Sequence, residues 1–435
     1  MLKWARAARQ GTLARAIQPL AEWTGLQPFS PGSLQAGQDF SSGANVLRTW
    51  SSPELCKAMH HQLQLQLHRS FRSSGTSAAW VPLWGGQATA LDPFALVHTE
   101  LESVSERLRR SVFTEIPALS TAAEYFFKLG AEGKRLRPTM LLLMASALSA
   151  ASPSASFLQV DTRPPNVHPT EERRRQQRVA EISEMIHVAS LLHDDVIDEA
   201  TTRRGLKALN ALFGNKVAIL AGDFLLARAS VTLASLRNTE VIELLSQVIE
   251  HLVSGEILQM TSADSELLSM DHYIKKTYFK TGSLMANSCR AIALLGGHPE
   301  PVCDLSWQYG RHLGLAFQFV DDLLDYTSSS STLGKPALND LKSGLATAPV
   351  LYAAQEFPEL KPMILRKFKY DGDVAAAEKL VHRSQGIQMT RDLAAEHAGL
   401  AAEAVSKMPP AQTEHAEQCQ QALTAITEKV LTRKK

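Results

Sequence analysis

The chain has few cysteines and almost no net charge, and its richest apolar run is too short and broken to span a bilayer. Its four cysteines among 435 residues, Cys56, Cys289, Cys303 and Cys419, are widely scattered and form no C-x-x-C pair. That spacing excludes a zinc knuckle and a disulfide scaffold, and it fits a reducing compartment. A formal net charge of +1 removes the broad attraction that draws proteins to nucleic acid or anionic membranes. The richest apolar stretch, TMLLLMASALSAASPSASF from Thr139, dissolves into serine and proline, so no transmembrane segment is expected. Alternating β-branched runs bounded by turns are also missing, and no Ser-His-Asp or Cys-His arrangement suggests nucleophilic catalysis.

What the chain does have is a core. An apolar content of 45% and a charged content of 20% are those of a globular protein. From Asp92 onward apolar residues recur at i, i+3 and i+4, as in DPFALVHTELESVSERLRRSV, where Asp92 offers an N-cap. NTEVIELLSQVIEHLVSGEILQM and MTRDLAAEHAGLAAEAVSKM repeat the habit, so the fold class expected is all-α. The connector 151–178 opens with serine and proline and closes on a charge cluster, and it reads as a long surface loop. A shorter flexible stretch, SSSSTLGKP, follows Thr327. Strong helices resume after both, so residues 91–435 read as one catalytic domain. Residues 1–80 differ. MLKWARAARQGTLARAIQ carries Lys3, Arg6, Arg9 and Arg15 with no acid among them, the composition of an organelle presequence. A mitochondrial address is expected, with plastid import the competitor.

The chemistry begins at LLHDDVIDEATTRRG. Asp194, Asp195 and Asp198 crowd the end of an apolar segment, and Arg203 and Arg204 follow. On a helix Asp194 and Asp198 share a face, where like charges repel. LAFQFVDDLLDYT repeats the pattern with Asp321, Asp322 and Asp325. One D-D-x-x-D is a weak signal, because solvated turns produce it. Two copies, each approached by an apolar run, place the acids at the ends of core helices facing a cavity. Hard oxygen ligands suit Mg²⁺, which is held by one or two carboxylates plus substrate phosphates. Acidic pairs with arginines nearby therefore point to a diphosphate bridged by metal. Lys134, Arg135 and Arg137 in EGKRLRPT, Lys280 in FKTGS and Lys335 in LGKP stand beside glycines, as a phosphate cradle requires.

GKRLRP, HVASLLHDDVIDEATTRRG, AGDFLLARA, YFKTGS, FQFVDDLLD and LGKPALNDLKSGLATAPVL together resemble the trans-isoprenyl (polyprenyl) diphosphate synthases. Within that family they resemble most the long-chain branch, the solanesyl diphosphate synthases of plants and algae. The likeness runs from about Asp92 to the C-terminus. It implies a helical bundle around a central apolar cavity, and an activity that condenses isopentenyl diphosphate repeatedly onto an allylic primer, farnesyl or geranylgeranyl diphosphate. It further implies that the six aspartates Asp194, Asp195, Asp198, Asp321, Asp322 and Asp325 hold Mg²⁺. Arg203 would bind the allylic diphosphate, and Lys134, Arg137, His187 and Arg204 that of isopentenyl diphosphate. Lys280, Thr281, Gln318 and Lys335 would line the allylic side. A homodimer is implied, and a product that becomes a quinone side chain.

Product length should be set one turn before Asp194. Ala189 and Ser190 are small and are expected to leave the tail channel open, where bulky side chains would floor it. The alternatives are a shorter-chain, geranylgeranyl-type synthase and a non-catalytic partner of a heteromeric synthase. A terpene cyclase would need no second diphosphate pocket. A di-iron bundle would need a second Glu-x-x-His besides Glu184–His187.

Overall fold

The computed structural model describes residues 92–116, 119, 125, 135–149, 170–203, 206–327 and 338–433, all within one compact unit, Gln87–Lys435. The presequence segment 1–80 and three of the expected site residues, Lys134, Arg204 and Lys335, lie outside them.

Helix α1 (His98–Ser111) buries Leu101, Val104 and Leu108 on one stripe. It begins later than the sequence predicts. Asp92 accepts from the Phe94 amide at 3.3 Å, and a 3₁₀ turn, Ala95–Val97, intervenes. Helix α2 (Leu136–Leu148) is apolar all round, and from Pro138 onward every residue is buried; such a helix belongs at the centre of a bundle.

Helix α3 (Glu171–Ile197) carries the first aspartate motif and corrects one expectation. The charge cluster at 171–178 is helix, not loop. Thr170 caps it, accepting from Arg173 N at 3.2 Å, and Glu171 and Glu172 complement the helix dipole. The charges are used across helices. Arg173 grips Glu100 of α1 with Nε and Nη2 at 3.0 and 2.8 Å, and Gln177 donates to the same carboxylate at 2.7 Å. A polar run therefore packs inward because it is paired, which composition alone cannot reveal.

A two-stranded hairpin follows, β1 (Thr202–Arg203) against β2 (Leu206–Lys207), antiparallel. Then come α4 (Asn215–Ala234), which lies along α3, and α5 (Thr239–Thr261), capped by Asn238 at 3.0 Å from Val241 N. Helix α6 (Met270–Thr277) runs into a π-helical turn, Tyr278–Gly282, and on into α7 (Ser283–Leu295). Helix α8 (Glu300–Thr327) carries the second aspartate motif. The C-terminal part holds α9 (Ala348–Glu356), α10 (Asp373–Arg383), α11 (Gly386–Ser406) and α12 (Glu414–Thr432). Helix α8 packs along α11 and α7, and α2 lies against α3 and α12. The fold is all-α, as the periodicity predicts, and among the described residues that hairpin is the only sheet. Among the described residues one helix, α4, is long and apolar enough to cross a membrane by length and composition. It buries Ala218, Ala221, Leu225 and Ala229 within the bundle.

Small residues let α8 approach α7 and the π turn. A Cβ on Gly310 would sit 2.4 Å from Met285 O, and one on Gly314 would sit 2.8 Å from Gly282 Cα. Gly310→Ala should therefore destabilise the protein by about 1–3 kcal/mol, the usual cost of overpacking. Gly399→Ala on α11, where a Cβ meets nothing within 4 Å, should stabilise it by up to about 1 kcal/mol. Equilibrium unfolding in urea checks both; an unchanged midpoint for Gly310→Ala would contradict the close crossing.

Candidate diphosphate and metal site

The first wall is the end of α3. Asp194 and Asp195 occupy its last turn and Asp198 its C-cap, with Asp198 N donating to Asp194 O at 2.8 Å. Burial pushes the Asp194 carboxyl up to about 6 against the nearby Lys280 ammonium, and Glu256 and Asp198 push it the same way. Asp195 is 1% exposed. Arg203, presented by β1, donates to its Oδ1 from Nε at 2.7 Å and from Nη2 at 2.6 Å. The hairpin that aims Arg203 is held at Lys207 O by the Tyr125 hydroxyl. Asn210 Nδ2 ties Asp195 O to Ala200 O, each at 3.0 Å.

The second wall is α8. Burial raises the pKa of Asp322, which accepts from the Tyr273 hydroxyl and, at 2.9 Å, from Gln318 Nε2. Gln318 Oε1 in turn accepts from Thr281 Oγ1 at 3.1 Å. Asp321 faces out toward Arg433, whose Nη2 lies 3.3 Å from it and donates to Phe317 O at 2.7 Å. Asp325 is fully buried and turned elsewhere. Its two oxygens accept from Asn339 N and Asp340 N at 3.2 and 3.0 Å, tying the short helix Asn339–Lys342 to α8.

Between the walls lies the π turn. Its Lys280 pairs with Glu256 of α5 and donates to Gln259 at 3.4 Å. Such turns re-aim side chains within an otherwise regular helix. Here the consecutive residues Lys280 and Thr281 serve opposite walls: one lies in the field of Asp194 and the other is bonded to Gln318. One turn earlier, Lys276 stacks over the Tyr273 ring at 5.9 Å, within reach of the fields of Asp322 and Asp340. A cavity of about 250 Å³ is lined by Asp198, Glu256, Gln259, Tyr273 and Lys276, among others.

The structure thus brings together Asp194, Asp195, Asp198 and Arg203, and separately Lys280, Thr281, Gln318 and Asp322, with Lys280 joining the two sets. Arg137 sits half-buried in the first turn of α2, whose cap residue Arg135 feels the charge of Glu184, one turn before His187 on α3. Ser190 donates to His187 O at 2.9 Å, and Ala189 is fully buried in the apolar core. Glu256, Gln259, Tyr273, Lys276 and Arg433 were not among the expected residues. For Glu256 and Gln259 the signal was present, since two polar residues three apart interrupt the apolar HLVSGEILQM. Arg433 gave none.

The acids suit a hard divalent cation. No group of three or more His, Cys, Asp or Glu among the described residues converges tightly enough to hold a metal alone, which is the arrangement Mg²⁺ tolerates when substrate phosphates complete its shell. Asp195 Oδ2 is buried and accepts no hydrogen bond from the described residues, and a lone carboxylate oxygen of that kind is costly unless a cation takes it.

Comparison with known proteins identifies the family. Residues 116–381 match the family model described as polyprenyl synthetase. A mitochondrial solanesyl-diphosphate synthase of Oryza sativa is 51% identical over 344 residues, 79% of each chain. A probable mitochondrial hexaprenyl pyrophosphate synthase of Neurospora crassa is 46% identical, covering 73% of this chain and 78% of its own. A polyprenyl synthase from Caulobacter crescentus, solved with calcium and isoprenyl diphosphate, superposes with a TM-score of 0.67 at 30% identity, over 79% of this chain and 97% of its own. The protein is mitochondrial, as the rice and Neurospora relatives are and as the basic N-terminal segment leads one to expect. Two aspartate walls joined by the lysine of one π turn thus accompany a match of sequence and fold, and the chain belongs to the polyprenyl synthetase family as a prenyltransferase that makes long all-trans polyprenyl diphosphates.

Proposed function

We propose that this protein extends an allylic diphosphate, farnesyl or geranylgeranyl, by repeated addition of isopentenyl diphosphate to a product of solanesyl length. The observation that supports this best is the double attachment of the π turn, because Lys280 answers the first aspartate wall and Thr281 the second. Asp194, Asp195 and Asp198 with Asp321 and Asp322 would hold Mg²⁺. Asp325, expected as a sixth ligand, would act from behind by anchoring the Asn339–Lys342 helix.

Magnesium, when bound, supplies the Lewis acidity that stabilises negative charge on a departing diphosphate. The chain's residues do the rest. Lys280 and Thr281, with Lys335, grip the allylic diphosphate, and Arg203 would exchange Asp195 for it. Lys134, Arg137, His187 and Arg204 hold isopentenyl diphosphate beside the reacting carbon. The allylic C–O bond breaks, the isopentenyl double bond attacks the resulting cation, and a proton leaves to the released diphosphate. Apolar side chains beneath the acids keep water from the cation. The tail grows along α3 past Ser190 and Ala189.

Helices α4 and α5 expose Leu220 (61%), Val231 (68%), Ile257 and Met260. Apolar faces of this kind mark association surfaces, and a second copy of this chain would cover them, giving a homodimer that supplies the quinone side chain.

Four outcomes are expected. Asp194→Asn should cut turnover by about a hundredfold or more, as loss of a metal-orienting group does. Mn²⁺ should raise the melting temperature of the wild type at pH 7.5, and that gain should fade below about pH 6, where Asp194 protonates. Unchanged turnover, or a gain that ignores pH, would contradict the metal assignment. Ala189→Phe should shorten the product seen by mass spectrometry; a folded variant with wild-type products removes the gating role. Leu220→Glu combined with Val231→Glu should sediment as a monomer where the wild type sediments as a dimer, and equal sedimentation of the two would refute the interface.

A further inference from the structure

Glu256 lies outside both aspartate motifs, yet it has taken the lysine that the substrate diphosphate needs. Its carboxylate pairs with Lys280 Nζ, and both side chains are largely shielded, 13% and 24% exposed. Gln259, on the same face of α5, accepts from that ammonium at 3.4 Å. The lysine stem is confined as well. A Cβ on Gly255 would fall 2.7 Å from Lys280 Cγ and 3.1 Å from Phe279 Cβ, so α5 lies directly against the π turn. Three residues of one helix, Gly255, Glu256 and Gln259, therefore set the direction of a side chain carried by another.

The placement has an electrostatic cost. A pocket that takes a multiply charged anion gains nothing from one more carboxylate beside Asp194 and Asp198. Glu256 raises the pKa of both. Its charge is tolerable because Lys280 neutralises it, and it becomes uncompensated when the ammonium turns to a diphosphate. The same ammonium is wanted by two anions, one fixed and one exchangeable.

We propose that Glu256 is a positioning residue for Lys280 that also competes with the diphosphate for its ammonium, so that diphosphate is exchanged between cycles of elongation rather than trapped. When the anion arrives, Lys280 leaves Glu256 for a phosphate oxygen. When inorganic diphosphate departs, Glu256 takes the ammonium back and favours that departure. No bond is made or broken in this exchange. The inference rests on the function proposed above and adds to it a control on anion affinity that neither aspartate motif provides.

The test is calorimetric titration of inorganic diphosphate, with saturating Mg²⁺, into the full chain and its variants, with circular dichroism to confirm folding. Glu256→Gln should bind diphosphate about tenfold more tightly, a change of about 1.4 kcal/mol, and show a lower KM for the allylic substrate together with a lower kcat. Glu256→Asp keeps the charge on a shorter stem and should fall between the two. In a Lys280→Ala background the Glu256→Gln effect should vanish. A merely structural residue would weaken binding and would not depend on Lys280. Unchanged or weaker binding by folded Glu256→Gln overturns the inference while leaving the synthase reading intact. So does a tightening that persists without Lys280. A wild type that binds no diphosphate overturns both.

Discussion

Like charges buried together are the constraint from which this structure follows. Two carboxylates about 6 Å apart at an effective dielectric of 20 repel by roughly 3 kcal/mol, and α3 places Asp194, Asp195 and Asp198 within one turn. The fold tolerates them by supplying a cation from each direction. Arg203 comes from the hairpin, Lys280 from the π turn and Arg433 from beyond α12 to Asp321. Each delivery requires a local departure from regular helix. The hairpin is the one small sheet among the described residues, and the π turn interrupts the run from α6 to α7. The irregular elements are the ones that carry charge to the site.

Packing enforces those departures. Gly310 and Gly314 bring α8 against α7 and the π turn at distances no larger residue allows, and Gly255 does the same for α5. Because the two glycine contacts flank one turn, the positions of Lys280 and Thr281 are set from both sides. Tyr273 and Gln318 then orient Asp322 through hydrogen bonds. The acids are thus strained electrostatically and rigid mechanically, the state of a site preorganised for a cation.

Much of this was legible in the sequence. Helical periodicity gave the all-α class, and repetition of D-D-x-x-D after apolar runs identified both walls. Lys280, Thr281 and Gln318 came from resemblance and fell together in space. Other features left little or no signal. Arg173 and Gln177 read as part of a surface loop because their partner, Glu100, lies on a different helix. Glu256 was marked only by a polar break in an apolar run, where a lone acid usually faces solvent. Asp325 shows the opposite difficulty, since its motif position says ligand while its oxygens serve backbone amides. Motif position identifies the residue type; only tertiary contacts tell which way the carboxylate turns.

The central claim is that two aspartate walls share divalent cations with a diphosphate. Crystals grown with Mn²⁺ and a non-reactive thiodiphosphate analogue test it directly through the anomalous signal of manganese. Peaks lying between Asp194 or Asp198 on one side and Asp321 or Asp322 on the other, each within bonding distance of a phosphate oxygen, are the expected result. Manganese found only at the outer surface, with the analogue bound elsewhere, would contradict it.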